Sequence, residues 1–264
     1  MQSKGKVEVG EAMIEFLDDG SGNMVVLIPG GGLDASYFDN FARRLAHAGF
    51  HAVAVNPRGA GESTGPLEGI TLHTLAADVA GGIEALNCGP VHVLGHAFGN
   101  RVARCLAADR PDLVRSVILL AAGGLIAPAA EVQRALQSWF RQDATEAECL
   151  EALQTMLADP SAAQSIWHRV KRWPVVAAAQ VAASQATPYQ EWSGETSVAP
   201  FLVVQGLADR AALPANGYAL RDQFGTRVRL VDIPQAGHML LDERPEAVAE
   251  AVLTFLRDQS PVVG

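Results

Sequence analysis

The sequence predicts an α/β protein: a mostly parallel sheet of about eight strands flanked by helices, with a helical segment inserted after the sixth strand. Three observations carry this. Short apolar runs such as Met24–Ile28 alternate with stretches patterned at helical spacing. That rhythm stops after Gly124 and resumes at Phe201. A turn with a glycine on either side of a central residue, Gly95-His96-Ala97-Phe98-Gly99, joins one apolar run to a helix-patterned stretch.

In chain order, Val7 to Asp18 alternates apolar and polar residues around Gly10-Glu11, an antiparallel hairpin at a sheet edge. Met24–Ile28 is apolar throughout, as a strand buried on both faces must be. It ends in Pro29-Gly30-Gly31-Gly32-Leu33-Asp34. Ser36 reads as the N-cap of a helix carrying Phe38, Phe41, Leu45 and Ala48. His51–Val55 is the next buried strand, followed by the turn-rich Asn56-Pro57-Arg58-Gly59-Ala60-Gly61-Glu62-Ser63, in which Arg58 is expected to anchor the loop. Then come a helix near Leu72–Leu86, a strand Val91–Leu94, a helix Asn100–Asp109 and a strand Val114–Leu120.

From about Leu125 to Val198 helical segments follow one another without a convincing strand, and all four tryptophans (Trp139, Trp167, Trp173, Trp192) lie there. Alternation resumes with Phe201–Gly206, Pro214–Phe224, Val228–Ile233 and Pro245–Leu256. We therefore expect residues 1–124 and 199–264 to build one core, and 125–198 to form a helical cap over the C-terminal sheet edge, where such sheets bind ligands.

Composition narrows the function. The 264 residues are 49% hydrophobic and 19% charged, ordinary for a globular chain. A formal net charge of -9 disfavours nucleic acid and anionic membrane, both of which attract basic surfaces. Cys88, Cys105 and Cys149 form no C-x-x-C pair and suit buried free thiols in a reducing cytoplasm. No apolar run reaches the ~20 residues of a membrane span, and Met1–Lys6 leads into the chain without a signal-peptide core. No cofactor and no metal is expected. The partner expected is a small molecule, a substrate if the chain is an enzyme, and a homodimer stays open.

These motifs together resemble the capped α/β-hydrolases over essentially the whole chain. In that family the glycine-flanked turn is an elbow that lifts a nucleophile, usually serine, above the sheet. The resemblance puts Ala97 at that position. It implies that Asp209, in Gly206-Leu207-Ala208-Asp209-Arg210, is the acid, and that His238, in Ala236-Gly237-His238-Met239, is the base. Nucleophile, acid and histidine follow one another in the order this fold uses. Pro29-Gly30-Gly31-Gly32 is similar to the oxyanion loop, with Pro-Gly where the family has His-Gly, so the amides of Gly31 and Phe98 would be the oxyanion donors. Asn56–Ser63 is similar to the Asp-x-Arg-Gly-x-Gly-x-Ser loop, with Asn for Asp. His96 reads as a packing residue, and His47, His51, His73, His92 and His168 carry no motif.

Ala97 departs from the pattern, because a methyl group cannot attack a carbonyl. It is either a serine replaced to trap a bound substrate or a natural alanine. Under the first account the resemblance implies a hydrolase of a small, fairly apolar carbonyl compound (ester, thioester, lactone or C–C bond beside a carbonyl), inactive or altered as written. Under the second it implies a lyase, a cofactor-free general-base enzyme using His238 and Asp209, or a non-catalytic ligand-binding protein. Relatives with an Asp nucleophile fit less well, since the cap offers only Tyr189 and residue 98 is phenylalanine, not tryptophan. Gly32, Trp139, Trp167, Trp173 and Met239 are expected to line the substrate pocket.

Overall fold

The computed structural model describes residues 3–259. Among these, the apolar and β-branched runs form eight strands: β1 Ser3–Val9, β2 Ala12–Gly20, β3 Asn23–Ile28, β4 Phe50–Val55, β5 Val91–His96, β6 Val114–Leu120, β7 Phe201–Gly206 and β8 Val228–Ile233. They make one sheet in the order β1-β2-β4-β3-β5-β6-β7-β8. The β1–β2 hairpin is antiparallel and joins β4 in antiparallel fashion, while every other neighbouring pair is parallel.

Three helices lie between strands in the first half: α1 Asp39–His47, α2 Leu72–Leu86 and α3 Gly99–Asp109. Five more separate β6 from β7: α4 Ala130–Phe140, α5 Glu146–Met156, α6 Ala163–Arg169, α7 Pro174–Ala186 and α8 Tyr189–Trp192. The chain continues through α9 Pro214–Phe224, α10 Leu240–Glu243 and α11 Pro245–Gln259. None of these helices is long and apolar enough to cross a membrane.

Side chains alternate across a strand, so a strand covered on both faces must be apolar at every position. In β3, Val25 and Leu27 belong to the core on one face of the sheet, and Met24, Val26 and Ile28 to the core on the other. Each such side chain, once buried, contributes about 1.5–3 kcal/mol. Helix starts are set locally. Thr71 caps α2 by accepting from the Thr74 amide, and the helix ends where Asn87 turns left-handed at φ 49°.

Two local expectations are corrected. Asp34, not Ser36, is the cap: its carboxylate accepts from the Ser36 amide and opens a 3-10 turn, Ala35–Phe38, before α1. The short reach of an Asp side chain favours a bond to the amide two residues on. Strand β5 also runs two residues past Leu94, because Gly95 and His96 still pair with Leu119 and Leu120 of β6.

The strand order places the site. From β3 the chain moves to one side for β4 and then returns to the other side for β5. The order in which strands are added therefore reverses between β3 and β5, and a crevice opens beyond their C-terminal ends. Residues 29–32 follow one of these strands, and Ala97 follows the other.

Candidate active site

Between the end of β5 and the start of α3 the backbone has only Ala97 and Phe98 with which to reverse. Ala97 is left-handed, at φ 49°, a conformation that costs a non-glycine residue about 1–3 kcal/mol. The surroundings hold it there: its amide donates to Leu120 O at 3.0 Å and its carbonyl accepts from Asn100 N at 3.1 Å. Buried Asn100 donates to the carbonyls of Leu120 and Ala121. The flanking glycines are steric necessities. A Cβ on Gly95 would lie 2.3 Å from Gly99 O, and one on Gly99 would lie 2.2 Å from Ile28 O. No side chain fits there.

Asp209 follows β7 in a tight turn, its amide bonded to Gly206 O. Its carboxylate is fully buried. One oxygen accepts from the amides of Ala211 and Ala212, both at 2.8 Å. The other lies 3.0 Å from His238 Nδ1. That bond puts the imidazole proton on Nδ1 and leaves the Nε2 lone pair free. His238 follows β8, and its side chain is 13% exposed. Burial alone would lower its pKa, but the charge of Asp209, its hydrogen bond and the charge of Glu243 together raise it above the ordinary histidine value.

Three further contacts fix the His238 loop. The His238 amide donates to Met156 O at 2.9 Å, at the end of α5. Glu243 accepts from Gly237 N and Ala158 N at 2.9 and 2.7 Å. His96 Nε2 donates to His238 O at 2.9 Å. Burial, with the nearby His238, lowers the His96 pKa to about 3, so His96 stays neutral.

The loop after β3 is tied to the helical insertion almost peptide by peptide. Trp139 Nε1 donates to Gly31 O at 3.0 Å, Gly32 N donates to Gln180 Oε1 at 2.8 Å, and Trp173 N donates to Gly32 O at 2.7 Å. Gly32 itself is left-handed, at φ 70°. A Cβ on Gly31 would lie 2.6 Å from Phe140 Cε1 and 3.5 Å from Phe98 Cβ, so Gly31 sits against the Phe140 ring and the base of the Phe98 side chain. Among the described residues, the amides of Gly31 and Phe98 donate to no other protein group. The Asn56–Ser63 loop backs this region: Asn56 accepts from Ala35 N, and Arg58 forms a two-pronged pair with buried Asp78 at 2.7 and 2.6 Å.

A cavity of about 560 Å³ opens here, bounded by Ala97, Phe98 and His238 from the sheet side and by Leu125, Ile126, Leu136, Phe140 and Ser184 from the insertion. Its lining is mainly apolar. Elsewhere, His73, Cys105 and Asp109 offer atoms within 4.8 Å of one another, a spacing that would suit a metal ion. His73 already bonds Asp109 and Glu191 through its two ring nitrogens, and burial pushes the Cys105 thiol pKa up, against thiolate formation. Hydrogen bonds account for that cluster.

The sequence of residues 25–251 matches the model of the Alpha/beta hydrolase family. The chain belongs to that family. BpoC of Mycobacterium tuberculosis is 28% identical over 92% of this chain and 97% of its own length. The 2-(acetamidomethylene)succinate hydrolase of Mesorhizobium japonicum is 27% identical over 95% of this chain and 94% of its own. In fold, a thermophilic esterase from Thermogutta terrifontis superposes with a TM-score of 0.80 at 24% identity, covering 97% of this chain and 99% of that one.

Within this α/β-hydrolase fold, the structure brings Ala97 and His238 to one cavity wall and bonds Asp209 to His238. The five residues expected to line the pocket are placed otherwise, and none of them forms the cavity wall. Gly32 lies in the β3 loop and bonds Gln180 and Trp173, and Trp139 donates to Gly31 O beside it. Trp167 packs edge-on against Trp139 at 6.3 Å. Trp173 turns its indole N–H to Asp34 Oδ2, 2.9 Å away. Met239 is 2% exposed, in the core beneath its loop. Trp139 and Trp173 are structural because an indole N–H needs an acceptor, and the loop after β3 supplies one to each.

Sequence reasoning missed Arg101, Glu243 and Gln180, and gave His96 only a packing role. Gln180 had a signal: it is a lone long polar residue within the alanine- and valine-rich Pro174–Ala183 stretch. Glu243 had none, since its reach back to Gly237 depends on the short turn of α10.

Proposed function

We propose that Ala97, Asp209 and His238 mark a hydrolase site for a small, largely apolar carbonyl compound. In this reading residues 125–198 form the cap that covers it. One observation carries the reading: His238 is hydrogen-bonded to a fully buried carboxylate on the wall of the cavity that also holds Ala97 at φ 49°.

With alanine at 97, no acyl-enzyme forms. The chemistry open to this chain is general-base catalysis, in which His238 Nε2 takes a proton from a water that attacks the carbonyl. The amides of Gly31 and Phe98 stabilise the oxyanion, and Asp209 stabilises the imidazolium. A serine at 97 would add the covalent route, His238 taking the Oγ proton and water later cleaving the ester. The 2-(acetamidomethylene)succinate hydrolase relative supports hydrolysis as the reaction class.

The test compares the chain as it stands with Ala97→Ser on short p-nitrophenyl esters. We expect a gain of several orders of magnitude, abolished by adding His238→Ala. Triads stripped of their nucleophile retain roughly 10³–10⁴-fold over water, so a smaller rate at Ala97 is expected too. No gain from a folded Ala97→Ser protein overturns the hydrolase reading in favour of a ligand-binding role.

A further inference from the structure

Arg101 stands in the first turn of α3, four residues after Ala97, on the wall of the same cavity. Its guanidinium lies over the Trp192 ring, 5.3 Å from the centroid. A Cβ on Gly124 would come within 3.6 Å of its Nη2. A guanidinium has five donors in a fixed planar fork. Among the described residues, this one donates to no protein group and pairs with no carboxylate. Arg58 and Arg104 show the contrast: Arg58 is matched to Asp78, and Arg104 to Ser193 O and Tyr189 Oη.

The surroundings sharpen the imbalance. No Asp or Glu lines the cavity, so Arg101 is its one permanently charged lining residue. Arg104 lies over the same Trp192 ring at 4.8 Å, also without a carboxylate partner, and adds to the positive potential. Ser184 Oγ, from α7, is buried without a partner on the cavity wall. The remaining lining is largely apolar.

We infer that the compound bound here carries one carboxylate, which Arg101 holds through its planar fork against Trp192. This rests on the reading of the cavity as the substrate site. Two parallel N–H···O bonds match a carboxylate better than any neutral acceptor. A single charge is favoured, because one guanidinium balances one anion, and a dianion would leave net charge in an apolar pocket. Arg101, Ala97 and His238 line the same cavity, so this anion shares one space with the elbow. The substrate class is therefore an acid whose reacting carbonyl is joined to its carboxylate by an apolar segment.

Binding tests this without turnover. The probes are 4-phenylbutanoate and 4-phenylbutanamide, alike in shape and different in charge, titrated into the intact chain by calorimetry. We expect the carboxylate to bind at least tenfold more tightly. Arg101→Gln should remove that preference and leave amide affinity within twofold, and Arg101→Lys should keep part of it. Equal binding of both probes, no binding of either, or an equal loss for both in Arg101→Gln overturns the inference. A second arm uses Ala97→Ser with the p-nitrophenyl monoester of suberic acid against p-nitrophenyl octanoate. A carboxylate preference in binding with no hydrolysis of either ester sinks the hydrolase reading and keeps the anion site. Equal hydrolysis of both, with no binding preference, does the reverse.

Discussion

His96, the last residue of β5, donates from Nε2 to the backbone carbonyl of His238, 2.9 Å away. The strand that carries the elbow is thereby joined directly to the loop that carries the proposed base. Because burial keeps His96 neutral, the contact is a plain hydrogen bond that persists across the working pH range.

Replacing His96 by Phe keeps a flat ring, slightly larger than imidazole, and deletes the donor. The orphaned carbonyl should cost about 1–3 kcal/mol, read as a fall in thermal unfolding temperature. In the Ala97→Ser background, ester hydrolysis should drop mainly in kcat, since the loop carrying the base loses its tether while the apolar cavity is unchanged. A rise in KM alone would argue that His96 serves the ligand and not the loop.

The pH dependence of that Ala97→Ser hydrolysis follows from the environment of His238. Its pKa is raised above the ordinary 6.5, because Asp209 and Glu243 outweigh burial. The base must be neutral, so the rate should climb with pH through a midpoint above 6.5. Asp209→Asn should move the midpoint down and cut the rate by roughly 10⁴. Glu243→Gln should shift it in the same direction by less. In stability the sign is opposite: the protonated pair stabilises the fold below the ordinary histidine pKa, and that gain is lost as pH rises through the raised value. A midpoint below the ordinary value in the parent would refute the assigned pairing.

Behind the elbow, Arg58 and Asp78 form a pair with side chains 8% and 5% exposed. Burial pushes the Asp78 carboxyl up, with Arg58 acting against it. Asp78→Ala should destabilise by about 3–5 kcal/mol, because it strands a buried guanidinium. Arg58→Lys should cost part of this, since an ammonium cannot reproduce the fork. Chemical denaturation of both variants measures it, and a loss below about 1 kcal/mol for Asp78→Ala would mean that water reaches the site.

The sequence by itself determined the strand and helix periods, the helical interruption between Gly124 and Phe201, and the order of the motifs around Ala97, Asp209 and His238. These are local properties: side-chain periodicity follows backbone geometry, and Gly95 and Gly99 mark a close approach that excludes a Cβ. Only the tertiary structure decided what those residues meet. The switch of direction between β3 and β5 sets the β3 loop beside the elbow. Packing of the insertion then turns Trp139 and Trp173 toward that loop and Leu136 and Phe140 toward the cavity. A helical period shows that one face is buried, but what covers it, and whether an unpaired Arg101 ends in a cavity, depends on residues far along the chain.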